Sequence, residues 1–188
     1  MQDVPLEIQQ LAASPEPADK IDAMMRLVLL CFTGIRRYYE HEMPMAAHSL
    51  RVGMQLSRFG DDLTTVLAGF GHDLYEDTDM TAPLLATLFG PKVADLVGVC
   101  SLDEALRRSD RQQANEDLFQ RVKAHGRPAI AIELVDVADN MWALGGREPN
   151  WEQAEKLLDL GRNCPGLGEQ SPHVQALSYK LGQLRKEL

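Results

Sequence analysis

The stretch "AIAIELVDVA", Ala129–Ala138, decides the class of the fold, because it is the one run in the chain that could pass for a β-strand. Continuous short apolar runs do not distinguish strand from helix by periodicity alone, so length and flanks arbitrate. Here the run sits inside "PAIAIELVDVADNMWALGG", residues 128–146, which begins with a proline suited to a first helical turn and ends in two glycines. Read as a buried helix, it removes the only strand candidate, and the expected class is all-α.

The rest of the chain agrees. "IDAMMRLVLLCFTGIRRYYE" (21–40) reads as one long buried helix, and "AAHSLRVGMQLSRFG" (46–60) as a helix stopped by Gly60. "DDLTTVLAGFGHDLYED" (61–77) opens on an aspartate N-cap candidate and reads as helix to its end. Gly90 and Pro91 separate two short helices in 81–100, and further helices fall within 109–126, 151–161 and 171–188. β-branched residues are sparse and no hairpin signal appears. A bundle of about eight to ten helices is expected, with residues 1–20 as an extension carrying a short helix and 21–188 as one domain.

Composition narrows the function. The chain has 188 residues, 45% hydrophobic, with a net charge of −9. That charge disfavours nucleic-acid polymers as partners, yet a bound divalent cation could still draw in a phosphorylated small molecule. Three scattered cysteines without a CxxC pair argue against a disulfide framework or thiolate zinc site. No apolar run is long enough to span a bilayer and no leader pattern opens the chain, so a cytoplasmic protein with no membrane role is expected.

"GHDLYEDTDMT", Gly71–Thr81, puts four acids and a histidine directly after an apolar run. His72 and Glu76 are four apart, as are Asp73 and Asp77, so a helix would place each pair on one face. His48 shares a predicted face with Val52 and Leu56, and Asp136 lies among Ile132, Val135 and Val137. A buried, unpartnered carboxylate is costly, and convergence of these groups on a divalent cation would remove that cost. Mixed imidazole and carboxylate donors suit Mn, Fe, Zn, Ni or Co better than Ca or Mg. Each residue also has a plain structural reading: a satisfied core histidine, a helix-to-helix hydrogen bond, a solvated helix end.

Taken in order, His48, His72–Asp73 and Asp136 resemble the H…HD…D signature of the HD-domain phosphohydrolase superfamily. "HDLYEDT" resembles the HDxxEDT element of RelA/SpoT-type alarmone hydrolases, "MPMAAHSLRVG" their "PYinHplrVA", "LFGPKVADLV" their "FG..VA.lV", and "LVDVADNM" their "LADRLHNM". The resemblance covers about residues 25–145, with a weaker echo at Tyr179. It implies His48, His72, Asp73 and Asp136 as metal ligands, Mn²⁺ as the usual ion, and Glu76 and Asp77 as the acidic pair serving water and leaving group. It also implies Arg37 against a purine and Asn140 near ribose or phosphate, with Tyr38 where the family has lysine. Arg36 and Arg51 are further candidates for phosphate.

Two departures stand out: Val137 replaces a common arginine, and Asp139 replaces the histidine before Asn140. Asp139 is also the residue most easily mistaken for the ligand Asp136. The implied activity is removal of the 3′ pyrophosphate from guanosine tetra- or pentaphosphate by a small hydrolase-only chain. A general HD nucleotidase or phosphodiesterase, and a catalytically silent ligand-sensing module, are the alternatives. The oligomeric state stays open, a homodimer being one arrangement.

Overall fold

The computed structural model describes residues 4–37, 43–141 and 150–187, all within twelve helical segments and their connections. Ten of the segments have eight residues or more: α1 (Leu6–Ala13), α2 (Pro17–Cys31), α3 (Met45–Phe59), α4 (Leu63–Gly71), α6 (Ala82–Phe89), α7 (Pro91–Cys100), α9 (Arg111–His125), α10 (Arg127–Asn140), α11 (Trp151–Asn163) and α12 (Pro172–Glu187). Two are short, α5 (Leu74–Asp77) and α8 (Glu104–Ser109). Among the described residues the sole β-type pairing is an isolated bridge between Arg36 and Pro44. The all-α expectation holds.

The ambiguous run is helical because it lies at the centre of the bundle. α10 touches α3, α4, α7, α9, α11 and α12, and Ala129, Ile130, Ala131, Ile132, Leu134, Val135 and Ala138 are all buried. A helix surrounded on most sides is apolar on most sides, which erases the one-faced pattern. α4 is the second central element and packs on α2, α3, α7 and α10. The glycines at 145 and 146 lie outside the described residues.

Two expected boundaries shift. α2 ends at Cys31, with Phe32 as its cap and Gly34 at φ +81, so residues 32–34 form a turn and not helix. The helix expected over 61–77 breaks in two: α4 stops at Gly71, His72 and Asp73 form a turn, and α5 is a single turn of four residues. Asp62 supplies the cap of α4, accepting the Thr65 N–H at 3.0 Å.

Gly53 of α3 and Gly69 of α4 set how closely these helices cross. A Cβ at Gly53 would overlap the Phe70 ring, and one at Gly69 would overlap Leu56. The absence of both side chains brings the two backbones together, and each of these helices carries one of the candidate histidines.

Candidate metal centre

His48 closes the first turn of α3, and His72 caps α4. The close crossing brings their Nε2 atoms to 3.2 Å, with both rings buried. Asp136, from the last turn but one of α10, places Oδ1 2.8 Å from His48 Nε2 and 3.3 Å from His72 Nε2. Asp73 adds Oδ1 at 3.3 Å from His72 Nε2 and Oδ2 at 3.6 Å from His48 Nε2. The four side chains singled out in the sequence therefore meet at one point, from three parts of the chain.

The opposite nitrogen of each imidazole is anchored. His72 Nδ1–H donates to the Gly69 carbonyl at 2.8 Å, using an acceptor that the end of α4 leaves open. His48 Nδ1–H donates to Asp139 Oδ2 at 2.6 Å. Arg51 in turn grips Asp139 through Nε at 2.7 Å and Nη2 at 2.8 Å. Partners on Nδ1 fix the tautomer and turn the Nε2 lone pair toward the shared point, as metal-binding histidines require. Below His72, Ser101 Oγ–H donates to the His72 carbonyl at 3.1 Å and ties the turn to α7.

The donor set passes a test of fit for a divalent ion. Asp73 Oδ2 is buried and has no hydrogen-bond partner among the described residues, a costly state that a cation would relieve. With bonds of about 2.1 Å, neighbouring ligand atoms stand roughly 3.0–3.4 Å apart, close to the separations found here. His48, His72 and Asp73 form a group able to hold a metal ion, and Asp136 lies against both of its histidines.

Charge follows the same geometry. Burial works against protonation of His72, but the charge of Asp73 and the hydrogen bond and charge of Asp136 outweigh it and hold the pKa up at about 10. His48 is likewise raised, its burial outweighed by Asp136 and Asp139. Asp136 stays ionised despite its burial, far below the usual carboxylate range, because both imidazoles bond to it.

Around it lies a cavity of about 330 Å³, which Glu76, Cys100, Glu133, Asn140 and Arg37 also line. Burial pushes the Glu76 carboxyl up to about 7, although Oε1 accepts the Leu102 N–H at 2.7 Å. Asp77, raised by its own burial, lines a separate cavity of about 680 Å³, a space that Glu76 and Arg107 also reach. The acidic pair thus divides, with Glu76 between two cavities and Asp77 in one. Asn140 Nδ2–H donates to Asp136 Oδ1 at 2.9 Å, and its Oδ1 accepts from the Arg37 guanidinium. Arg37 lines the cavity. Tyr38 lies outside the described residues, and Tyr179 is 63% exposed on α12 and lines none of the cavities named here.

Several contributors were not singled out. Asp139 appears in the sequence as a departure from pattern, yet it is the anchor of His48. Arg51, set among the phosphate candidates, holds Asp139 instead; its spacing of three from His48 was the available signal. Glu133, one turn before Asp136 and buried against the same cavity, is pushed well above the usual carboxylate range by burial and by Asp136. Arg107 and Arg111 line the cavity from α8 and α9; the first of these helices was not expected.

No family profile matches the chain. The guanosine-3′,5′-bis(diphosphate) 3′-pyrophosphohydrolase of Vibrio cholerae serotype O1 is 35% identical over 123 residues, 62% of this chain and 17% of that protein. The bifunctional (p)ppGpp synthase/hydrolase SpoT of Escherichia coli K12 is 33% identical over 111 residues, 57% of this chain and 16% of that protein. The Haemophilus influenzae 3′-pyrophosphohydrolase is 32% identical over 126 residues, 65% and 18% of the two chains. This chain therefore spans less than a fifth of the length of these curated relatives.

A solved structure of a metazoan ortholog of SpoT, described as hydrolysing ppGpp and playing a role in starvation responses, superposes with a TM-score of 0.73 at 23% identity. It covers 91% of this chain and 98% of the other, and the likeness is one of fold. The helical bundle is shared with that structure, and in this chain it brings His48, His72, Asp73 and Asp136 together. Over 57–65% of its length the chain is similar to the curated relatives above, which are named for (p)ppGpp hydrolysis.

Proposed function

We propose that the chain is a metal-dependent phosphohydrolase that removes the 3′ pyrophosphate from guanosine 3′,5′-bis(diphosphate). The observation that carries this reading is the convergence of His48 Nε2, His72 Nε2 and the Asp73 and Asp136 carboxylates, with both Nδ1 atoms anchored. The similarity to named 3′-pyrophosphohydrolases supports the substrate. In this reading residues 21–188 form the hydrolase domain, and α1 in the preceding extension packs on α2.

His48, His72, Asp73 and Asp136 would hold the ion, with Mn²⁺ as the proposed one. When bound, it supplies a water of lowered pKa and polarises a phosphoryl oxygen. Glu76 is the residue placed to take a proton and return it. Its carboxyl lies on the same cavity wall, and a pKa of about 7 leaves both of its protonation states populated near neutrality. The Leu102 N–H fixes one of its oxygens and leaves the other for that exchange. Asp77, in the adjoining cavity, has the weaker claim to a direct role. Arg37 and Asn140 line the same cavity, where a planar guanidinium suits a purine or phosphate and the amide suits a ribose hydroxyl. Among the described residues no helix is long and apolar enough to cross a membrane, in keeping with a small dissolved substrate.

The test is a substrate panel with the Mn²⁺-loaded protein: guanosine 3′,5′-bis(diphosphate), ordinary nucleotides, cyclic nucleotides and nicotinamide dinucleotide phosphate. Pyrophosphate release from the first, abolished by Asp136→Asn, is the expected result. Turnover of simple monophosphates alone would contradict it.

A further inference from the structure

The α8–α9 side of the cavity carries cationic groups that the reading above leaves unused. Arg107 of α8 is occupied by Glu104, Nε to Oε2 at 2.6 Å. Arg111, the first residue of α9, is different: among the described residues no carboxylate lies within ion-pair distance of it. Its neighbour Asp110 spends Oδ1 on the Gln113 N–H as the helix cap. Arg111 lines the cavity of the histidine cluster and also a groove of about 790 Å³ alongside α9 and the start of α11. Asn150 and Gln153 line both spaces too. The two spaces thus adjoin along this shared lining, Arg111 included.

The cavity of the histidine cluster is rich in acids: Asp73, Glu76, Glu133 and Asp136. A polyanionic substrate entering it needs cations beyond the one the cluster would hold. A guanidinium without a carboxylate partner, set beside the reacting site and not within it, matches phosphate through two parallel N–H donors.

We infer that Arg111 binds a second, non-reacting phosphate group of the substrate, so that the site selects nucleotides phosphorylated at two ribose positions over those phosphorylated at one. The inference rests on the reading of the cavity as a phosphohydrolase site, and its test separates the two. Arg111→Ala and Arg111→Lys are compared with the unmodified protein on guanosine 3′,5′-bis(diphosphate) and on guanosine 3′-diphosphate. Turnover is measured with Mn²⁺, and equilibrium binding is measured in a Glu76→Gln background.

Loss of one charge-assisted contact corresponds to about a tenfold or greater fall in preference for the doubly phosphorylated nucleotide, with lysine restoring part of it. An equal effect on both nucleotides, or none, overturns the inference even if pyrophosphate is released. Tight binding of the doubly phosphorylated nucleotide without turnover, weakened by Arg111→Ala, overturns the hydrolase reading and upholds Arg111. Absence of both binding and turnover overturns both.

Discussion

His48 Nδ1 stands 2.6 Å from Asp139 Oδ2, and the same carboxylate is gripped by Arg51. This chain of three side chains fixes the ring that offers Nε2 to the cluster. Asp139 is ionised because hydrogen bonds from His48 and Arg51 outweigh the cost of its burial. Asp139→Asn keeps the shape and loses the charge, and it permits the amide to present a donor to Nδ1. Metal affinity measured by calorimetry should fall about 10–100-fold, while Asp136→Asn should leave no measurable binding at the site. Unchanged affinity in Asp139→Asn would remove it from the centre.

Proton release should accompany metal binding. His72 carries a proton at neutral pH in the metal-free protein, since its pKa is held at about 10, and a ligand imidazole must give that proton up. Apparent affinity should therefore rise with pH from 6 to 9, and calorimetry in buffers of different ionisation enthalpy should show protons leaving.

The stability of the metal-free protein should have the opposite sign at high pH. A histidine pKa raised on folding contributes stability that is complete below about 6.5 and fades as pH climbs toward 10. Asp136, depressed on folding, contributes stability present above about 4 and lost as pH falls further. Denaturant midpoints of the metal-free protein across pH 3–10 check both limbs.

Much of this centre was legible in the chain. His72 and Asp73 are adjacent, and Asp136 interrupts an apolar run, so each announced itself as a polar group where burial was due. What joins them was not legible. Asp139 meets His48 across 91 residues and Arg51 across 88, separations at which one-dimensional spacing says nothing. The break of the helix at His72–Asp73 was equally hidden, because the pattern of apolar residues runs on through Leu74 and it is the turn that brings both side chains to the cluster.

Glu76→Gln should reduce turnover by about 10²-fold or more, the scale of lost acid–base assistance. Asp77→Asn alone should cost much less, since Asp77 lines the neighbouring cavity. Gln can still accept the Leu102 N–H, so the melting temperature should hardly move. Glu76→Ala orphans that N–H and should also cost about 1–3 kcal/mol of stability. Steady-state rates beside thermal melts separate the two effects.

Gly53→Ala and Gly69→Ala should each destabilise the protein by about 1–3 kcal/mol through overpacking at the α3–α4 crossing. Because this crossing sets the spacing of His48 and His72, metal affinity should fall as well, though neither glycine touches the centre. Urea unfolding and metal titration on the same variants test the coupling.

The central claim is that these four side chains form one divalent metal site. Anomalous diffraction at the manganese edge, from crystals grown with Mn²⁺, tests it most directly. The account predicts a single strong peak bonded to His48 Nε2, His72 Nε2 and the carboxylates of Asp73 and Asp136. A protein saturated with Mn²⁺ that shows no peak there, or a peak elsewhere with His48 and His72 still bonded to Asp136, would contradict it.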